Sequence, residues 1–299
     1  MRVLVTGGTG FIGSNLVQEL IKQGHDVLIT GHDAEQKIPD FSGTVLQPSL
    51  VGIDFERLGK IDVCFHQAAI NDTTLMDKEE MFRANVHSSI ELFKKLIANG
   101  CTRIVYASST AAYGDAPVPF KEDGPMRPMN PYGESKQRLE EEAMILAAQN
   151  PGVVFVGLRY CNVYGPGEDH KGPRASMIYQ LAQQMKEKNP KLFKMGEQKR
   201  EWVYVKDVVK ANLLAAKATR NCVVNVATGT ATTFNKIVEI LNNAMATSRT
   251  IEYIDNPHEA YQTHTECDMG HAKEMIGFEP DFDVEAGIKD YFESGRLLS

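Results

Sequence analysis

The chain has 299 residues, 42% hydrophobic and 24% charged, enough to bury a sizeable core in about two domains. Its 32 basic and 39 acidic residues leave a net charge of -7, which opposes nucleic acid or an anionic membrane surface as a general partner and obliges an anionic small ligand to find local cations. Five cysteines, odd in number and never spaced as C-x-x-C or C-x-x-H, argue for a reducing compartment and against a metal site. With Met1 running straight into a strand and no apolar stretch of spanning length, the cytoplasm is the expected address.

In chain order the pattern predicts a strand over 3–6, a helix over 11–23, a strand over 27–30, a short strand near 44–47 and a strand over 62–66. A helix over 78–99, a strand over 103–107, a helix over 132–149 and a strand over 153–159 follow. This alternation, with strands as apolar as Val153-Val154-Phe155-Val156, indicates an α/β fold with a parallel sheet covered on both faces and right-handed crossovers. After Tyr160 the alternation weakens at Gly165, Pro166, Gly167, Gly172 and Pro173, before a helix over 174–188. A strand, helix and strand return over 202–227, and the remainder is mixed and polar. The expected division is a dinucleotide-binding domain from 1–161 and 201–228, with a smaller substrate lobe from 162–200 and 229–299. The acidic run Glu140-Glu141-Glu142 reads as a solvated helix face.

Two motifs carry the chemistry. In Thr6-Gly7-Gly8-Thr9-Gly10-Phe11-Ile12-Gly13 the glycines at 7, 10 and 13 supply a tight turn, close approach to phosphate and close helix packing. The turn follows a strand and opens a helix whose free N–H groups suit a pyrophosphate, so Gly7, Gly10, Phe11, Ile12 and Gly13 are expected at the cofactor, a Rossmann-type doubly wound arrangement. At the end of the second strand an acid would grip the 2'-hydroxyl of NAD, but Gly31 stands there, followed by His32 and Asp33. This favours NADP modestly and leaves NAD open, with Lys37 either a phosphate partner or an exposed loop lysine.

Downstream, Tyr132 and Lys136 are four apart at the start of a helix and project from one face. A nearby ammonium and a positively charged nicotinamide would favour phenolate, making Tyr132 a base for hydride transfer on an alcohol carbon. Ser109, after the strand Arg103-Ile104-Val105-Tyr106-Ala107, can hydrogen-bond the reacting oxygen, with Ser108 its ambiguous neighbour. The alternative reading of Tyr-x-x-x-Lys is an amphipathic surface pair.

These segments, with His66-Gln67-Ala68-Ala69, Asn85, Ser108-Ser109-Thr110-Ala111-Ala112-Tyr113-Gly114 and Arg159-Tyr160-Cys161-Asn162-Val163-Tyr164-Gly165-Pro166, resemble the extended short-chain dehydrogenase/reductase family, which acts on nucleotide-activated sugars. Within it, Asn162 to Gly172, Pro190-Lys191-Leu192-Phe193 and Lys199-Arg200-Glu201-Trp202-Val203-Tyr204-Val205 look most like the ADP-glyceromanno-heptose 6-epimerases. That resemblance implies an epimerase that oxidises C6'' of a nucleotide-linked heptose with bound NADP, lets the ketone reorient and returns the hydride to its other face. It implies Tyr132, Lys136, Ser109 and Lys171 as catalytic residues, Lys171 being the lysine of the H-K-G segment and a second acid/base. On sequence alone Lys171 reads equally as a phosphate-binding or solvated lysine.

The resemblance further implies His32, Ala68, Asn85, Tyr132 and Lys136 at the cofactor, and Ser108, Asn162, Arg174, Arg200 and Tyr261 at the nucleotide-diphospho-sugar. Arg200 suits the diphosphate through its fork of donors; a surface cation beside Glu201 is the plainer role. Asn162 could instead form a turn, and Asn85 could support backbone instead of touching a ligand. The chain departs from the subfamily at Gly31, Ser49, Arg174 and Ala260, which bears on base and sugar more than on reaction class. His66 reads as a strand-end histidine by the cofactor, and His264 and His271 show no metal spacing. A homo-oligomer is expected, since relatives pair the helices at 78–99 and 132–149. The remaining alternatives are a 4-epimerase, dehydratase or reductase on another nucleotide sugar, and a non-catalytic dinucleotide sensor, which would have no need of Tyr132 and Lys136.

Overall fold

In the computed structural model of the chain, the described residues are 1–31, 38, 41, 43–46, 50, 52–256 and 262–299. His32, Asp33, Lys37, Ser49, Ala260 and Tyr261 lie outside them. Seven parallel strands form the central sheet: β1 (Arg2–Thr6), β2 (Asp26–Thr30), β3 (Thr44–Leu46), β4 (Val63–His66), β5 (Arg103–Ser109), β6 (Val154–Tyr160) and β11 (Cys222–Val226). Their order is β3-β2-β1-β4-β5-β6-β11, so the winding reverses between β1 and β4. In open parallel sheets ligands sit beyond the carboxyl ends of the strands at such a reversal.

Inside the sheet the strands are largely apolar on both faces, the edge strand β3 being exposed, and successive side chains feed opposite layers. Val3, Val5, Val27, Ile29 and Val105 pack with Leu16, Val17 and Leu20 of α1 (Phe11–Lys22). Leu4, Leu28, Cys64, Ile104 and Phe155 pack with helices on the other side. There Lys78–Ala98, expected as one continuous helix, divides into α2 (Lys78–Phe82), a π-turn over Arg83–His87 and α3 (Ser88–Ala98). Beside it lies α4 (Pro131–Gln149), begun by Asn130, whose side chain accepts from Gly133 N at 2.9 Å, and by Pro131 in the first turn.

Beyond β6 the chain makes short strands paired over long sequence distances: β7 (Asn162–Tyr164) with β10 (Trp202–Tyr204), β8 (Lys191–Phe193) with β13 (Glu252–Ile254), and β9 (Lys199–Arg200) with β12 (Thr232–Thr233). The helix expected over 174–188 starts later, as α5 (Met177–Glu187), after a 3₁₀ turn over Asp169–Arg174. Gly172 at φ 53° and Pro173 interrupt the backbone there, and Ser176 caps α5 by accepting from Tyr179 N. Helices α6 (Val205–Ala215) and α7 (Phe234–Met245) follow. A third apolar cluster, including Tyr164, Leu181, Trp202, Phe234 and Ile237, lies under these elements. Among the described residues no helix is long and apolar enough to cross a membrane.

Candidate active site

The carboxyl ends of β1, β4, β5 and β6 open into a cavity of about 850 Å³, lined at its inner end by Gly7, Gln67, Ser109 and Tyr160. Gly7 has φ +64°, and a Cβ on Gly13 would stand 2.1 Å from the Gly7 carbonyl oxygen. Only glycines let the turn fold this tightly against α1. Gly10 caps α1 without a side-chain hydrogen bond, and Gly10, Phe11, Ile12 and Gly13 all face the cavity. A helix head without a side-chain cap, in a cradle that Cβ atoms would fill, fits a pyrophosphate. At the end of β2, a Cβ on Gly31 would meet Thr9 Oγ1 at 2.3 Å, so packing against Thr9 excludes a carboxylate at this position.

Ser109, expected just after β5, is its last residue, in register with Tyr160 of β6. Its Oγ accepts from Ala111 N at 3.1 Å and hydrogen-bonds the Tyr132 phenol. Lys136 is buried and donates to the Ala107 carbonyl at 2.8 Å; its ammonium lies 5.7 Å from the centroid of the Tyr132 ring. The acidifying effect expected of this amine is opposed by burial. Burial pushes the Tyr132 hydroxyl above its ordinary value, and the opposing influence is the Ser109 hydrogen bond. The ammonium is engaged at a carbonyl and placed against the ring. Burial in turn lowers Lys136 to about 8, with Glu140 holding it up.

Three readings are corrected. Glu140 is not on a solvated face: it is 4% exposed and ion-paired with Arg159 at 2.6 Å, whereas Glu141 and Glu142 pair with Arg138 on the outer side. Position 140 falls on the stripe of Tyr132 and Lys136, four residues apart each time. Ser108 lines the cavity as expected, but its hydroxyl is donated to Glu140, so that donor is not offered to a substrate. Asn85 is not among the cavity-lining residues. From the π-turn its amide accepts from Ile70 N at 2.8 Å and donates to Ile70 O at 2.9 Å, bracing the segment that carries Ala68, Ala69 and Asn71 along the cavity wall. His66 is likewise internal, bonded to Thr6 at 2.7 Å and Ser89 at 2.8 Å, and burial holds it neutral.

The outer end of the cavity is basic. Lys171, Arg174, Lys191 and Arg200 line it, and none of its described lining residues is Asp or Glu. Lys171 lies over the Phe11 ring, 5.3 Å from its centroid, and burial lowers its pKa against the nearby carboxylate of Glu168. Glu168 is fully buried; it accepts from Gly165 N at 3.0 Å and Ser176 N at 2.5 Å, closing the base of the loop that carries Lys171. Arg200 donates to the carbonyls of Lys199 and Gln262. Asn162, exposed at the cavity wall, donates to Glu201 O at 2.7 Å. The Glu201 carboxylate accepts backbone N–H groups from Thr228, Gly229, Thr230 and Cys267. Its oxygens are thus committed, although Cys161, Glu201 and Cys267 bring potential ligand atoms within 4.8 Å of one another.

Residues that motif reading passed over also line the cavity, among them Gln67, Tyr160, Phe193, Gln198, Trp202 and Phe234. Gln67, Tyr160 and Asn212 close a ring of hydrogen bonds of 2.8–3.0 Å. The parallel register of Ser109 with Tyr160 is the signal that would have found that end of the site.

Residues 3–227 match the family described as the NAD dependent epimerase/dehydratase family. The ADP-L-glycero-D-manno-heptose-6-epimerase of Alkalilimnicola ehrlichii is 34% identical, over 98% of this chain and 97% of its own. The crystal structure of the Helicobacter pylori ADP-L-glycero-D-manno-heptose-6-epimerase is 33% identical, superposes with a TM-score of 0.88 and is matched over 98% of this chain and 95% of its own. The Thermotoga maritima UDP-glucose 4-epimerase, solved with UDP-glucose, gives 30% identity and a TM-score of 0.88 over 99% of both chains. Sequence, sheet order and glycine cradle agree: the chain belongs to the NAD dependent epimerase/dehydratase family.

Proposed function

We propose that the protein inverts C6'' of an ADP-linked glycero-manno-heptose by transient oxidation and re-reduction with bound NADP. The observation that carries this reading is the single cavity joining the glycine cradle, the Ser109–Tyr132 pair and a wall on which Lys171, Arg174 and Arg200 stand beside Lys191, itself paired with Glu252 at 3.3 Å. In a chain of net charge -7, such a wall suits a nucleoside diphosphate. The heptose-epimerase relatives and the H-K-G segment at Lys171 support the sugar. The absence of an acid at Gly31 supports NADP.

Gly7, Gly10, Phe11, Ile12 and Gly13 would hold the pyrophosphate of the dinucleotide. When bound, its nicotinamide supplies a hydride acceptor that returns the hydride within the same turnover. Tyr132 takes the hydroxyl proton of the sugar, while Ser109 hydrogen-bonds the reacting oxygen. Lys136 stabilises the phenolate from behind. Inverting one centre requires a proton for the ketone oxygen from a second direction, and Lys171, whose pKa burial lowers, is the group suited to give it. Arg200 and Arg174 hold the diphosphate, Asn162 the sugar side.

The test is to incubate the purified protein with ADP-D-glycero-D-manno-heptose and follow inversion by NMR. Inversion without net cofactor consumption is expected. No inversion, with clear turnover of a UDP- or GDP-hexose, would overturn the assignment in favour of a 4-epimerase; net NADPH consumption would identify a reductase.

A further inference from the structure

We propose that Glu140 is a positioning residue for proton transfer: from one helical turn behind Lys136, its carboxylate supplies the lysine's counter-charge and ties down the strand end that carries Ser109. The inference rests on the reading of Tyr132 and Lys136 as the proton-transfer pair. Three successive residues of β5 meet this stripe of α4. Ala107 O accepts from Lys136 at 2.8 Å, the Ser108 hydroxyl donates to Glu140 Oε1, and the Ser109 hydroxyl bonds Tyr132. One carboxylate therefore fixes the register between the helix that carries the base and the strand that carries its partner.

The carboxylate is itself held rigidly. Arg159 of β6 donates Nε to Oε1 at 2.9 Å and Nη2 to Oε2 at 2.6 Å, and its Nη1 is anchored on the Tyr113 hydroxyl at 2.7 Å. The ionisable groups around Lys136 are Tyr132 and Glu140 on its own helix, His66 on β4, and Arg159 on β6 beyond the carboxylate. His66 is neutral, its pKa held down to about 3, and the Tyr132 phenol is raised by burial. Glu140 is thus the anion one helical turn from the lysine on the same stripe of α4, and its attraction opposes the burial that leaves Lys136 at about 8. Without that carboxylate the amine would lose its proton near neutrality and could no longer stabilise a phenolate.

The experiment follows lysines labelled at Nζ and Cε by NMR across pH, with Lys136 assigned by the signal lost in Lys136→Met. Glu140→Gln keeps an oxygen to accept from Ser108. It is expected to lower the Lys136 midpoint by about one pH unit or more, and to move the limb of the kcat/KM profile near pH 8 in the same direction. The double variant Glu140→Met with Arg159→Met leaves no unpaired guanidinium behind and should displace the midpoint in the same direction, by less because the opposing charge of Arg159 is gone, if the carboxylate acts on the lysine. An unmoved Lys136 midpoint in a folded variant overturns the proposal even where turnover falls, because the loss then reports packing alone. The titration needs no substrate, so failure of the wild type to invert the heptose counts against the proposed function and leaves this result legible.

Discussion

The ammonium of Lys171 lies over the ring of Phe11, 5.3 Å from its centroid, so a residue of the 3₁₀ turn after β7 reaches the head of the cofactor-cradle helix. A cation over an aromatic face is attracted by the ring quadrupole, and here the arrangement closes the cavity from above. Lys171→Met is expected to lower kcat by about 10²–10⁴-fold, the range for loss of a proton-transfer group. Dinucleotide affinity, measured by calorimetry, should change less than tenfold. A large loss of affinity with little loss of kcat would make Lys171 a phosphate ligand instead.

Tyr132→Phe and Ser109→Ala separate chemistry from binding. Each is expected to bind dinucleotide normally. The phenylalanine variant should lose about 10²–10⁴-fold in kcat, and the alanine variant about 10²–10³-fold, as for loss of a donor aimed at the reacting oxygen. Steady-state rates and fluorescence titration check both. Normal turnover by Tyr132→Phe would refute the base assignment.

Gly13→Ala places a methyl group 2.1 Å from the Gly7 carbonyl oxygen, a backbone atom that cannot swing aside. The turn must open, and dinucleotide affinity should fall tenfold or more, about 1.4 kcal/mol. Calorimetry of the folded variant measures this directly.

His66 gives a pH signature in stability. Its ordinary pKa of 6.5 is lowered to about 3, by burial first and by Lys136 second. The unfolded chain therefore binds a proton that the folded one refuses between these values. The contribution of the neutral imidazole is complete above about 6.5 and is lost as pH falls towards 3, at up to about 1.4 kcal/mol per pH unit. Urea midpoints measured across this range should fall less steeply in His66→Gln than in the wild type.

Much of this was legible in the sequence because its signals are periodic or local. Strand alternation gave the parallel sheet, and Gly7, Gly10 and Gly13 gave the cradle within one turn. What escaped was decided by the third dimension. Three consecutive glutamates look alike until α4 is seated, when Glu140 alone turns inward to Arg159. Ser108 and Ser109 are adjacent, yet one is spent on Glu140 and the other meets Tyr132. Spacing shows that Lys136 is near Tyr132 and says nothing of the burial that opposes the phenol's acidity. Apart from β11, the strands beyond β6 are two or three residues long and pair across dozens of positions, as Lys191 does with Glu252, so no local window contains them.

The basic lining of the cavity has a kinetic consequence. Over most of its surface a chain with seven excess negative charges pushes phosphorylated metabolites away, while field lines from Lys171, Arg174, Lys191 and Arg200 converge on one aperture. Capture should thus be selective in direction before it is selective in shape. Added salt would blunt the pull of the aperture and the repulsion of the rest together.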